Sequence, residues 1–593
     1  MTQLDSLKLA FAERLDFKRW TILFAVFCLI FSTQVPYIYL IYNLNDCFYY
    51  ILNQELANQS GIFHIKSSPL WWLTDVIGGF WLRITESYGL WGIKIGGVAA
   101  LALTGVISAN TLFQIYKPTI SIALVMTLTG FCLPVELLNW VSIPILLYSI
   151  FGFYFLKLHR DPLSNTNPIV CGLICLLMVF CRMTMIFTIF VIPSCLLACY
   201  LFQKKEFKLY LSAYLKVIGV FLSSAVLFIL FLQYQGFLRE YLFFPTPSKI
   251  HSSTALFRLL SSQLLNKIPV LTIISCFSFG LYLLIKRGAL TGRKTLFTSI
   301  GLVGLYVLMI ICGFKWPIIK NGLKILWPDG FDLFPILISL NIMFFLLLRK
   351  VITFQEVVLF ILGIFWPLLR MVGSSMGLHQ GIVISFLLCG LTFIMLLRVA
   401  RLYECRLPLY CIGSAIILVM GIKAIRAPIN LSRPPIIQIA NSHYLKKLNR
   451  IFMQPDRAEN LSSLVREIER YAKKEERILA CPYIPIVYYS SSTLPLGDHP
   501  CLFFLDFDRF IAKLDQIAAM PPPPVIIKTK VAMDNPKQQE LNFTWPIDPD
   551  FVNDLNRKIS IFDQKILKGW NAKLAWSNEH YELYVPSNEG PSK

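Results

Sequence analysis

Apolar residues in this chain gather into long unbroken stretches. They show neither the alternation of a half-buried strand nor the one-sided stripe of a surface helix. The stretches run over 20–42, 90–115, 118–135, 138–157, 168–182, 184–203, 212–234, 268–286, 295–314, 331–348, 351–372, 380–399 and 408–426, thirteen in all. Crossing the hydrocarbon of a bilayer takes a helix of about 20 residues, which most of these supply. The pattern predicts a polytopic α-helical membrane protein. The fifth and sixth stretches meet at Arg182 with no polar loop between them. The first is too long for the apolar region of a secretory signal and lacks a small-residue cleavage site, so it is read as a retained span.

After residue 427 the pattern changes. Ala427-Pro428-Ile429-Asn430 and Arg433-Pro434-Pro435 read as a linker. A helical pattern follows over 441–475, with Leu448, Ile451, Leu461, Leu464 and Ile468 on its apolar positions. Then come an apolar run at 478–490, an amphipathic stretch at 507–520, a proline run at 521–524 leading into Val525-Ile526-Ile527-Lys528-Thr529, and a final strand-like segment at 580–586. Strands alternating with helices predict a small soluble α/β domain over 428–593, appended to a transmembrane domain over 1–427. The tail has no glycine-rich phosphate loop, and nothing in it argues for nucleotide binding.

Composition agrees with the membrane reading. The chain is 56% hydrophobic and 15% charged over its 593 residues, with a mean hydropathy of +0.62. That leaves too little polar side chain to cover a soluble globule, and it excludes disordered, collagen-like and disulfide-scaffold classes. The net charge of +21 is unevenly spread. The tail holds 21 basic and 19 acidic residues, against 34 and 15 before it. The excess sits in short segments between spans: Lys8 to Arg19, Lys117, Lys157 with Arg160, Lys204 to Lys208, Lys286 to Lys294, Arg349 with Lys350, and Arg398 to Arg406. These are alternate connections, and basic residues collect on the cytoplasmic side of membrane helices. The expected orientation in a plasma (bacterial inner) membrane therefore has a cytoplasmic N-terminus, with the tail and the loops 43–89, 235–267 and 315–330 outside. This distribution argues against nucleic acid as the partner. Cys28, Cys171, Cys175, Cys195, Cys199, Cys276, Cys312 and Cys389 are among the cysteines that fall within spans, where a thiol acts as a small apolar group; whether Cys481 and Cys501 pair is open.

Carboxylates sort by side. Asp46, Glu55, Asp75, Glu86, Glu136, Glu240, Asp329 and Asp332 are on the outer side, and Glu356 lies near the inner end of a span. Asp46 follows the first span, and Glu136 sits between the third and fourth, so loops on one face can bring the two together. An acid kept at the edge of the hydrocarbon is costly and is a functional candidate. The loop 43–89 is half apolar, which predicts helices lying at the interface with Trp71, Trp72, Trp81 and Trp91 as anchors.

Asp46, then Tyr49 and Tyr50, Gly61, and Ser68-Pro69-Leu70-Trp71-Trp72 form a series that resembles the first luminal loop of GT-C-fold glycosyltransferases, the protein-mannosyltransferase and aminoarabinose-transferase superfamily. That family's motif runs roughly Asp-Glu-x-x-Tyr, a Gly, then Pro-Pro-Leu; Asp46, Tyr50, Pro69 and Leu70 match it. Cys47 departs from it, standing where a second acid is common. The thirteen spans and the outward tail are similar to the same family.

The resemblance implies transfer of a sugar from a polyprenyl-phosphate donor to a lipid, glycan or protein acceptor on the outer face, with inversion at the anomeric carbon. Asp46 would be the general base and Glu136 a second carboxylate at the reacting centre. Tyr50, Lys66, Arg182, Lys249, Arg370 and His379 would contact substrate, the cations offsetting charge on the phosphate leaving group. A divalent cation is neither required nor ruled out, and no residue is assigned as a metal ligand. A transporter or flippase, and a surface-polysaccharide polymerase or ligase, are the competing classes. Against the first, the hydropathy shows no inverted repeat and no pair of broken spans.

Overall fold

Helices of membrane-crossing length and apolarity dominate the first part of the chain, at Asp16–Val35, Leu90–Leu112, Ser142–Arg160, Met185–Phe202 and Lys204–Tyr234. The computed structural model describes residues 3–39, 44–60, 71–131, 138–139, 142–238, 343, 346, 351–371, 386–402, 437–438, 444–448, 451–453, 455–482, 484–497, 502–505, 507–530 and 549–587. The described helices of the bundle are α1 (Gln3–Tyr39), α2 (Leu44–Ser60), α3 (Trp72–Ile84), α4 (Leu90–Leu112), α5 (Ile120–Phe131), α6 (Ser142–Arg160), α7 (Thr166–Cys181), α8 (Val191–Phe202), α9 (Phe207–Tyr234), α10 (Phe354–Met371) and α11 (Phe386–Leu402). The expected spans at 268–286, 295–314 and 408–426 lie outside the described residues, as does 331–348 apart from Met343 and Leu346.

The expected junction at Arg182 is a backbone break. Arg182 is extended (φ −160°, ψ 112°), which ends α7, and a 3-10 stretch over Met183–Phe190 leads into α8. α1 starts 17 residues before the expected span, because Gln3 to Arg19 continues the same helix. One large apolar cluster joins α1, α4 to α11 along the bundle. α7 and α9 come close at Gly172, where a Cβ would stand 2.8 Å from the Val217 carbonyl oxygen.

The bundle has two distinct ends. At one, the starts of α4 and α6 meet the close of α7, through Leu90, Ile93, Ile143 and Cys181. At the other lie Arg19, whose Nε donates to Asn110 Oδ1 at 2.8 Å, together with Lys117, Lys157, Arg160 and Lys204. This basic end also holds a carboxylate knot. Glu356 accepts from Tyr116 Oη (2.7 Å), Arg398 (2.7 Å) and the Thr353 amide (2.7 Å) and hydroxyl (2.9 Å). Thr353 and Glu356 thereby form a capping box that starts α10.

The tail is a mixed five-stranded sheet in the order β4-β3-β5-β7-β6, from β3 (Arg477–Cys481), β4 (Leu494–Pro495), β5 (Ile526–Thr529), β6 (Lys573–Ser577) and β7 (Tyr581–Val585). β3 is parallel to β4 and β5, while β7 is antiparallel to β5 and β6. A two-stranded ladder, β1 (Ile437–Gln438) with β2 (Phe452–Met453), precedes it. The tail helices are α12 (Pro455–Tyr471), α13 (Pro485–Ser491), α14 (Phe507–Ala518) and α15 (Pro549–Phe562). The helical pattern expected from 441 becomes a 3-10 turn at Lys446–Leu448, then β2, then α12. Pro455 explains the late start, since its missing N–H is tolerated in a first turn but not inside a helix. Cys481 is buried, and Cys501 lies outside the described residues.

Candidate functional site

The loop between the first two expected spans folds into α2 and α3, which pack on each other and on the end of the bundle away from the basic residues. Their close approach depends on Gly78 and Gly79. A Cβ at Gly78 would fall inside the Gln54 side-chain amide, and one at Gly79 would stand 2.5 Å from the Gln54 carbonyl oxygen. Gln54 is fully buried and donates through Nε2 to the Leu138 carbonyl at 2.7 Å. The Leu138 amide in turn meets the Ile93 carbonyl at 3.3 Å, so the segment beside Glu136 is tied to both α2 and α4.

α3 seals the close of α7. Thr74 Oγ1 donates to the Cys181 carbonyl at 3.0 Å, which satisfies one acceptor that the helix end leaves open. Trp72 is packed against Phe180 and Phe228 with centroids 5.8 and 5.6 Å away, and Trp81 Nε1 donates to the Gly92 carbonyl at 2.8 Å. These two tryptophans are thus held within the protein rather than serving only as interfacial anchors. Trp71 presents its ring to the edges of Tyr49 (6.4 Å) and Tyr50 (6.2 Å).

This end of the bundle holds charges that apolar surroundings penalise unless they are paired or used. Arg182 is 5% exposed and lies within electrostatic reach of Tyr50; Asp75 and Lys94 are each 1% exposed. Asn53 Nδ2 and Gln54 Oε1 are buried without a hydrogen-bond partner in the same region. The structure thus brings together two of the expected substrate contacts, Tyr50 and Arg182. Asp46 falls in the first turn of α2, one turn before Tyr50, and Arg370 in the last turn of α10; their side chains are outside the described set. Lys66, Glu136, Lys249 and His379 lie outside the described residues. Among the described residues, no group of three His, Cys, Asp or Glu side chains is placed to hold a metal ion.

The sequence groups Asp75 with the other outer-side carboxylates and assigns no role to Lys94. The available signal was a lysine inside the apolar run Leu90 to Val98. Glu55, another of the outer-side carboxylates, is paired with the tail: Lys447 Nζ lies 3.0 Å from its Oε1. Burial raises the Glu55 carboxyl above its ordinary range; the Lys447 charge and hydrogen bond oppose this, and Glu86 adds a smaller raising effect.

No family model and no curated protein matches the chain. Among solved structures, it is similar to the archaeal oligosaccharyltransferase AglB from Archaeoglobus fulgidus in complex with an inhibitory peptide and a dolichol-phosphate. That likeness is at 10% identity and a TM-score of 0.44, over 96% of this chain and 74% of that one. The Archaeoglobus fulgidus oligosaccharyltransferase with Zn and sulfate gives 10% identity and 0.46, over 86% and 68%. The same enzyme tethered to an acceptor peptide containing the NVT sequon gives 11% and 0.46, over 96% and 74%.

Proposed function

We propose that this protein is a membrane glycosyltransferase that moves a sugar from a polyprenyl-phosphate donor to an acceptor on the outer face, inverting the anomeric centre. The observation that carries the reading is the buried guanidinium of Arg182 at the close of α7, the helix end that α3 seals. Tyr50 is within electrostatic reach of Arg182, and Asp46 sits one helical turn before Tyr50. Gln54 of the same helix is bonded to Leu138, two residues beyond Glu136.

In this reading Asp46 takes the proton from the acceptor hydroxyl as its oxygen attacks the anomeric carbon. The bond from that carbon to the phosphate oxygen breaks, and the lipid phosphate leaves with the electron pair. Arg182, with Arg370 from α10, meets the charge that develops there. A fixed cation in a water-poor site stabilises such charge without reorganising. Glu136 steadies the acceptor, while Lys66, Lys249 and His379 line the approach of the donor headgroup. The tail-bearing end of the bundle faces outward, because the opposite end carries the bases that favour the cytoplasm.

The test uses membranes holding the full chain, supplied with a polyprenyl-phosphate hexose or pentose. Consumption of the donor with glycosylation of added or endogenous acceptor is expected. In Asp46→Asn donor binding should survive while transfer falls at least about 100-fold, as for loss of a general base. Transfer at the wild-type rate by Asp46→Asn removes the assignment of the base, and no donor use by the wild type removes the function.

A further inference from the structure

α2 has a back as well as a front. Phe48, Ile51, Leu52 and Glu55 recur at the spacing of one helix face, and Tyr50 lies on the other side. The back is covered by the tail. Phe48, Ile51 and Leu52 are fully buried in a cluster with Leu445, Leu448, Val487, Tyr488 and Tyr489. Phe48 and Tyr489 rings lie 5.3 Å apart, with α13 supplying the tyrosine.

Lys447 closes this contact. Its Nζ is 3.0 Å from Glu55 Oε1 and 4.6 Å from the centre of the Tyr489 ring, so one ammonium bridges α2 and α13. Its backbone meets the turn between α3 and α4. Gly89 adopts φ +55°, and a Cβ there would stand 2.9 Å from the Lys447 carbonyl oxygen. A single tail residue therefore touches α2 and the turn that joins α3 to α4. The pair is only part-exposed, 33% for Lys447 and 24% for Glu55, and the ring beneath it is buried, so the pair is less screened than a surface ion pair.

We propose that Lys447 is a positioning residue: by pairing with Glu55 and lying over Tyr489, it makes the tail domain a brace that holds α2, and with it Asp46 and Tyr50, in register over Arg182. It touches no reactant. The tail is then part of the machinery that sets turnover rather than an independent appendage. The rate consequence rests on the glycosyltransferase reading; the brace itself does not, and the two are measured separately.

The experiment compares the full-length protein in nanodiscs as wild type, Lys447→Glu, Glu55→Lys and the double exchange. Amide hydrogen exchange over residues 44–60 reads the brace, and turnover against donor concentration reads its use. Each single variant should speed exchange in that helix by about 5-fold or more, the scale of a part-buried pair. Each should lower kcat by a similar or larger factor with KM for the donor little changed, and the double exchange should restore both. Lys447→Gln, which keeps the alkyl stem, should shift both in the same direction and serves if the charge reversals do not fold. Unchanged exchange over 44–60 in every variant overturns the brace, whatever turnover does. Faster exchange with wild-type kcat overturns the positioning role. If the wild type transfers no sugar, the function fails on its own, and exchange alone decides whether Lys447 holds α2.

Discussion

Replacing Gly78 with alanine tests how α2 and α3 fit together. The added methyl would occupy the place of the Gln54 side-chain amide, which is buried and bonded to the Leu138 carbonyl at 2.7 Å. Gln54 cannot move without giving up that bond, so two costs combine. Overpacking a well-filled contact costs about 1–3 kcal/mol, and a buried carbonyl left without its donor about 1–3 kcal/mol more. Gly78→Ala should thus destabilise the folded state by about 2–6 kcal/mol. Truncating Gln54 removes the obstacle: Gly78→Ala should cost less than about 1 kcal/mol when Gln54→Ala is already present, giving a coupling of at least about 1 kcal/mol in a double-mutant cycle. Gly79→Ala is the control. Its methyl would meet backbone, the Gln54 oxygen at 2.5 Å and the Asn58 nitrogen at 2.9 Å, so Gln54→Ala should not relieve it. Unfolding equilibria of the detergent-solubilised variants supply the numbers. Additive costs for Gly78 and Gln54, or rescue of Gly79→Ala by the same truncation, would refute the packing argument.

Arg182→Ala should cut transfer by about 100-fold, or about 3 kcal/mol, in the donor-consumption assay, with Arg182→Lys recovering only part because a point charge lacks the guanidinium fork. Wild-type turnover in Arg182→Ala would make it a structural residue. Glu356→Ala should cost about 3–5 kcal/mol in the same unfolding measurement, since Arg398 and the Tyr116 hydroxyl both lose their buried acceptor; a change under about 1 kcal/mol would discount the knot. Glu55 gives a pH signature. Because its carboxyl is raised above 4.5, the folded chain holds the proton more tightly than the unfolded chain. Its contribution therefore favours the fold at and below about pH 4.5 and is lost as pH rises through the raised value. Thermal stability of the wild type relative to Glu55→Gln should accordingly fall as pH rises above about 4.5, and a flat or rising difference would contradict the dominance of burial.

The parts legible in the sequence were those set by local pattern. Long apolar runs became α4, α6 and α9, because a backbone in hydrocarbon must bond to itself and a run of that length leaves only a helix. The tail's order of strand and helix followed from the apolar run at 478–490, the amphipathic stretch that became α14, and the segment that became β7. Arg182 was marked by its place between two spans, and Asp46 and Tyr50 by their series after the first. What tertiary structure decided was pairing across distance. Gln54 with Leu138 and Glu55 with Lys447 are separated by 84 and 392 positions. No periodicity encodes such partners. A carboxylate at 55 reads the same whether solvated or paired, because residue type sets what bond a group can make, while the fold sets which partner is near and how little water remains between them.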